Sequence, residues 1–145
     1  MASNRQHVEL AIAKVLATES RKVGMIGLSF KTGTDDLRES PLVLLAEQLI
    51  GKGIALRIHD PEVELSRLLG ANRRFIDTHV PHIGELMRGD LAEVIAQSEV
   101  IVLGLARADV IAAVVAHVED RHTVIDLVGV PKATLRRGRW EGLCW

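Results

Sequence analysis

The chain has 145 residues, 48% of them hydrophobic and 26% charged. That is the size of one domain, long enough to bury a core without disulfides or a structural metal, and too apolar to be disordered. With 18 Lys+Arg against 19 Asp+Glu the net charge is -1, which excludes a strongly basic nucleic-acid binder.

The first element in chain order is a helix. Ser3 is placed to cap it, and Val8, Ala11, Ile12, Val15 and Leu16 form an apolar stripe as far as Thr18. The stripe needs a partner surface, and a chain that begins almost at this cap predicts a portion of a longer protein. Lys22 to Leu28 (KVGMIGL) predicts a buried strand, followed by the polar stretch SFKTGTDDLRE. Ser40 as cap and Pro41 at the first helical position open a helix that closes at Gly51/Gly53. Ile54 to His59 is the next strand, ended by Asp60-Pro61, so that strand, loop, helix and strand make a βαβ unit with a parallel pair.

The second half alternates in the same way. Glu62 to Leu69 predicts a short helix ending at Gly70, and Asp90 caps another through Ala96. Val100 to Leu105 and Thr123 to Val128 predict strands, with a helix from Asp109 to Val118 between them. Four apolar strands alternating with helices predict an α/β fold: a Rossmann-like three-layer domain with a mostly parallel sheet, preceded by one helix.

Ligands of open α/β sheets bind outside the carboxyl ends of the strands. The segments to search are therefore Ser29–Ser40, His59–Pro61, Gly104–Asp109 and Val128–Lys132. The first is richest, with Lys31, Asp35, Asp36, Arg38 and Glu39 leading into a helix N-terminus that favours phosphate. Asp35 and Asp36 lie close to Lys31 and Arg38, which predicts a loop-ordering ion network. Gly24 and Gly27 do not complete the G-x-G-x-x-G spacing, so a working dinucleotide fingerprint is missing. Asp60 has two readings: a ribose holder at the end of the second strand, or a turn-forming Asp-Pro. His79 and His82 are separated by Pro81 and read as surface histidines, not metal ligands. Arg136, Arg137 and Arg139 read as a solvated face. Cys144 has no base beside it in sequence and reads as a structural thiol, leaving no complete catalytic constellation.

A single cysteine forms no internal disulfide, and no apolar run approaches the ~18 residues of a membrane span. The polar start, Met1 to His7, is no signal peptide. These features predict a cytoplasmic protein with no nucleic-acid and no membrane partner.

The run GMIGLSFKTGTDDLRESPLVLLAEQLIGKGIALRIHDP resembles the carboxy-terminal domain of the UDP-glucose/GDP-mannose dehydrogenase family. The hallmark is an apolar strand, then Phe30-Lys31, a short spacer, Thr34-Asp35-Asp36, and Arg38-Glu39-Ser40-Pro41. Similarity continues through SEVIVLGLARAD and VIDLVGV to the final GLCW, with wording closer to members acting on GDP-mannose than to those acting on UDP-glucose. The resemblance implies that residues 1–20 are the end of a central dimerisation helix, and 21–145 a sugar-nucleotide-binding carboxy-terminal domain. It implies Phe30 and Lys31 at the substrate and Arg38 toward NAD, a cofactor held mainly by a domain this chain lacks. It also implies a homodimer or higher homo-oligomer, in an enzyme that oxidises a sugar-nucleotide C6 alcohol to a carboxylate. The family's NAD fingerprint and thioester-forming cysteine lie in segments not present here, so this portion alone is not expected to be active. A free-standing, non-catalytic nucleotide or nucleotide-sugar binding module is the alternative. A phospho-acceptor domain using Asp60 is a third reading, and it leaves the FK–TDD–RESP loop unexplained.

Overall fold

The structure, a computed structural model, describes residues 4–28, 40–63, 74, 76–78, 80–132, 134 and 136–143. Helix α1 (Asn4–Ala17) leads into strand β1 (Lys22–Ile26), helix α2 (Pro41–Gly51) and strand β2 (Ala55–His59). Two short helices, α3 (Pro81–Leu86) and α4 (Leu91–Ala96), precede strand β3 (Val100–Leu103). Helix α5 (Ala108–His117), strand β4 (Thr123–Asp126) and strand β5 (Arg139–Gly142) complete the order. The sheet has five strands in the order β2-β1-β3-β4-β5, every pairing parallel. The expected sheet is therefore present, with one strand more than the sequence predicts.

Strands β1, β3 and β4 each serve two cores because their side chains alternate. Val23, Met25, Val100, Val102 and Ile125 face one side, where α1 and α2 pack. Ile26, Ile101, Leu103 and Val124 face the other, against Val94 and Ile95 of α4 and Val110 and Val114 of α5. A strand covered on both faces has no use for alternating polarity, which is why β3 reads as the unbroken run VIVL.

Helix α2 follows its capping chemistry. Ser40 Oγ accepts from the Leu42 amide at 3.2 Å, and Pro41 takes a first-turn position where no N–H is needed. Its end is a Schellman closure, with Gly53 N donating to Ile50 O at 3.0 Å and Ile54 N to Leu49 O at 3.1 Å. Asp90 caps α4 by accepting from the Ala92 amide at 3.0 Å, as its sequence position predicts.

Two expectations change. The α1 stripe does not await an outside surface: Val8, Ala11, Ile12 and Val15 are buried in the same core as α2, and only Leu16 of the stripe stays exposed. The basic run 136–139 is not simply a solvated face. Arg139 opens β5, and the Arg136 guanidinium lies 4.5 Å from the centroid of the Trp140 ring. The predicted helix from Glu62 begins at residues 61–63, and 64–70 lie outside the described residues.

Candidate functional site at the carboxyl edge of the sheet

The parallel ladder runs past the ends of the strands. Gly27 N donates to His59 O at 2.8 Å, Gly104 N to Ile26 O at 2.8 Å, and Leu127 N to Leu103 O at 2.9 Å. The exits of β2, β1, β3 and β4 are thereby brought side by side along one edge. Strand β1 leads through α2 to β2 on one side, while β3 leads through α5 to β4 on the other. The reversal of strand order falls between β1 and β3, where ligands of such sheets collect.

At this point backbone approaches backbone closely. Gly27 has φ +110°, and a Cβ there would lie 3.0 Å from the carbonyl carbon of Gly104 and 3.0 Å from Leu105 N. From Gly27 the chain enters Leu28 and then residues 29–39, returning at Ser40. Both polar backbone groups of Leu28 are taken by side chains. Its N–H donates to Asp60 Oδ2 at 2.8 Å, and its carbonyl accepts from Ser40 Oγ at 2.6 Å. Asp60 is fully buried, and its Oδ1 accepts from the amides of Glu62 (2.9 Å) and Val63 (3.2 Å). The turn-forming reading of Asp60 is the one the structure supports. A carboxylate enclosed by three amides is oriented inward as a staple, which serves neither a ribose nor a phospho-acceptor aspartate.

Other groups on this edge are committed to the protein as well. Arg107, ahead of α5, holds Asp109 at 2.8 Å through Nε and Glu62 at 3.8 Å through Nη1. Asp126 closes the exit of β4 by accepting from the amides of Val128 (2.9 Å), Gly129 (3.0 Å) and Val130 (2.7 Å). The buried His59 ring donates from Nδ1 to Arg88 O at 2.9 Å, tying the 87–88 segment onto the β2 edge. Sequence reasoning puts His59 and Arg107 within the segments to search without giving either a role, and it passes over Asp126. Their one signal is that each lies at or just beyond a strand end.

The predicted site residues Phe30, Lys31 and Arg38 lie outside the described residues, as do Asp35, Asp36, His79 and Cys144. What the structure does place is the root of their loop, Leu28 and Ser40, at the crossover point. His82 is exposed on α3, and among the described residues no three His, Cys, Asp or Glu side chains come together for a metal.

The family model described as "UDP-glucose/GDP-mannose dehydrogenase family, UDP binding domain" matches residues 24–132. The chain belongs to the UDP-glucose/GDP-mannose dehydrogenase family. Among relatives of this family, the chain is 48% identical to the GDP-mannose 6-dehydrogenase of Pseudomonas savastanoi pv. phaseolicola, over 100% of its own length and 33% of that protein. It is 51% identical to a UDP-glucose 6-dehydrogenase of Pseudomonas aeruginosa, over 30% of this chain. Its structure is similar to that of a ternary complex of GDP-mannose dehydrogenase from Pseudomonas aeruginosa, with a TM-score of 0.85 and 47% identity, covering 95% of this chain and 31% of that one. A UDP-glucose dehydrogenase from Pyrobaculum islandicum, 24% identical with a TM-score of 0.67, shares the fold. The chain spans about a third of the length of the curated relatives it matches.

Members of the UDP-glucose/GDP-mannose dehydrogenase family are dehydrogenases, so a dinucleotide must be considered, and the described residues do not fit one. Fingerprint glycines leave space for a pyrophosphate to approach the backbone. Here the space beside Gly27 is filled by Gly104 and Leu105, and that beside Gly24 by Ser98 Oγ at 2.6 Å and Val94 Cγ1 at 2.8 Å. These glycines serve packing.

Proposed function

We propose that this chain is the sugar-nucleotide-binding portion of an NAD-dependent nucleotide-sugar 6-dehydrogenase. It takes GDP-mannose in preference to UDP-glucose at the carboxyl edge between β1 and β3. Phe30 and Lys31 meet the sugar nucleotide, and Arg38 reaches toward an NAD held by the remainder of the longer enzyme. A flexible ammonium can follow a sugar hydroxyl or carboxylate, whereas a guanidinium fork suits pyrophosphate or ribose oxygens. Residues 1–20 bring in the end of the parent's central helix, docked on α2, and 21–145 form the binding domain. The parent works in the cytoplasm as a homodimer or higher oligomer. The outward-facing Leu10, Leu16 and Leu44, each at least 40% exposed, support a protein-covered surface.

The observation that carries this reading is the position of the loop root. Leu28 and Ser40, which bracket the Phe30-Lys31 and Arg38 segment, sit where the strand order reverses. Calorimetric titration with GDP-mannose, GDP, UDP-glucose and NAD tests it. GDP-mannose should bind most tightly, and Lys31→Ala should weaken it by roughly 1–3 kcal/mol, the usual cost of one charged hydrogen bond. Arg38→Ala should matter less, because its partner is held elsewhere. Equal binding of all four ligands, or a larger loss from Arg38→Ala, would count against these roles.

A further inference from the structure

Resting on the carboxyl-edge site proposed above, we infer that Arg107 takes a phosphate of the nucleotide sugar's diphosphate, and that Glu62 is the internal competitor for it. The guanidinium is held at one corner only. Its Nε donates to Asp109 Oδ1 at 2.8 Å. Its Nη1 stands 3.8 Å from Glu62 Oε1, too far for a hydrogen bond. Among the described residues no acceptor lies within hydrogen-bond distance of Nη1 or Nη2. Arg88 and Arg121 differ in this respect, because both spend that end of the group on the protein. Arg88 Nη1 donates to Glu85 O at 2.8 Å and Met87 O at 2.9 Å. Arg121 donates from Nη1 to Ser98 O at 3.1 Å and from Nη2 to Ala96 O at 2.9 Å. The end of the Arg107 fork is thus oriented by Asp109 and left open, the arrangement that takes two oxygens of one phosphate.

Position puts this fork at the crossover point. Arg107 lies just beyond the exit of β3 and Glu62 just beyond the exit of β2. In the sheet β1 lies between those two strands, so the contact from Arg107 to Glu62 spans the exit of β1, beside the reversal of strand order. The backbones that carry the pair are fixed, Gly104 N donating to Ile26 O at 2.8 Å and Glu62 N to Asp60 Oδ1 at 2.9 Å. The Arg107 side chain is 37% exposed and open to a ligand, whereas that of Glu62 is 16% exposed. A single carboxylate at this distance and exposure holds a guanidinium weakly. A diphosphate brings more than one negative charge and paired oxygens that match the fork, so it displaces Glu62 from Nη1 while Asp109 keeps Nε. Because the diphosphate is common to GDP and GDP-mannose, the contact serves both and takes no part in reading the sugar.

Two substitutions act on opposite ends of the contact. Arg107→Ala removes the fork, and Glu62→Gln removes the competing charge while keeping the shape of the side chain. Calorimetric titration of GDP-mannose and GDP into the unmodified chain, each variant and the double variant is the experiment, with urea unfolding of each as the check on folding. Arg107→Ala should weaken both ligands roughly tenfold, the order of one charge-assisted hydrogen bond. Glu62→Gln should tighten both about threefold, the scale of a partly exposed ion pair that no longer competes. In the double variant that gain should vanish, because the carboxylate acts through the arginine. An ion pair that served stability alone would not raise affinity when broken. A folded Arg107→Ala protein that binds as tightly as the unmodified chain would overturn the inference and leave the site reading intact. So would a loss confined to GDP-mannose, which would put Arg107 at the sugar, or a Glu62→Gln gain that persists in full without Arg107. If Arg107→Ala loses its cooperative transition, the sign of the Glu62→Gln effect decides. No binding by the unmodified chain would remove the site reading itself, and the role of Arg107 with it.

Discussion

Gly27→Ala is expected to destabilise the chain by roughly 3 kcal/mol or more. Two costs add. At φ +110° an L-residue is strained regardless of surrounding space, because its Cβ crowds its own backbone. The new Cβ would also stand 3.0 Å from Gly104 C, Leu105 N and Leu105 Cβ. Two of these neighbours are backbone atoms of the ladder that joins β1 to β3, so relief requires the strand exits to move apart. Gly51→Ala is the matched control, since nothing lies within 4 Å of its Cβ direction. At the end of α2 it should be neutral or stabilising by up to ~1 kcal/mol. Urea unfolding of both variants measures the contrast, and similar midpoints would show that the close approach at Gly27 is not strained.

Asp126→Ala is expected to cost roughly 2–4 kcal/mol, by leaving three amides without their acceptor. The carboxylate is 4% exposed and collects the N–H groups of Val128, Gly129 and Val130. The three are not equally costly to strand. Gly129 is exposed and its amide can find water, whereas Val130 is buried and its 2.7 Å bond is the shortest of the set. Asp126→Asn should therefore lose about half as much, since its remaining oxygen can still accept from one side of the turn. Thermal or urea denaturation orders the three proteins, and an Asp126→Ala loss below about 0.5 kcal/mol would mean that the turn hydrates freely.

The sheet was legible because its central strands are buried on both faces. Runs such as VIVL at 100–103 have no competing helical reading of that length beside their turn signals. The capping residues Ser40 and Asp90 were legible for a similar reason, each being a small polar side chain directly before a periodic run. Strand β5 was not. It reads RWEG, an edge strand with two half-buried residues, Trp140 and Glu141, and its charges at Arg139 and Glu141 suit an edge strand. Its pairing comes from β4, not from any local pattern. The ends of β1 and β4 were also overestimated. Apolar residues continue to Leu28 and Val128, but Gly27 turns the first chain away and Asp126 captures the amides that would have extended the second. Asp60 illustrates the limit at the site. Its position at the end of β2 suggests either a ligand or a turn, and the bonds from Glu62 N and Val63 N decide for the turn, to which the bond from Leu28 N adds a tie back to β1. The stripe of α1 marks an apolar face but does not say which surface buries it, and here α2 and the sheet cover most of it in place of an outside partner.

The most direct measurement is a map of backbone amide resonances during titration with GDP-mannose. Binding at the crossover point predicts that the largest shifts fall on Gly27, Leu28, Ser40, Gly104 and Leu105, and that Lys31→Ala reduces them at equal ligand concentration. Shifts centred instead on Ser20, Thr123 and Arg139, at the opposite end of the same strands, would contradict that placement, as would an unchanged spectrum at saturating nucleotide sugar.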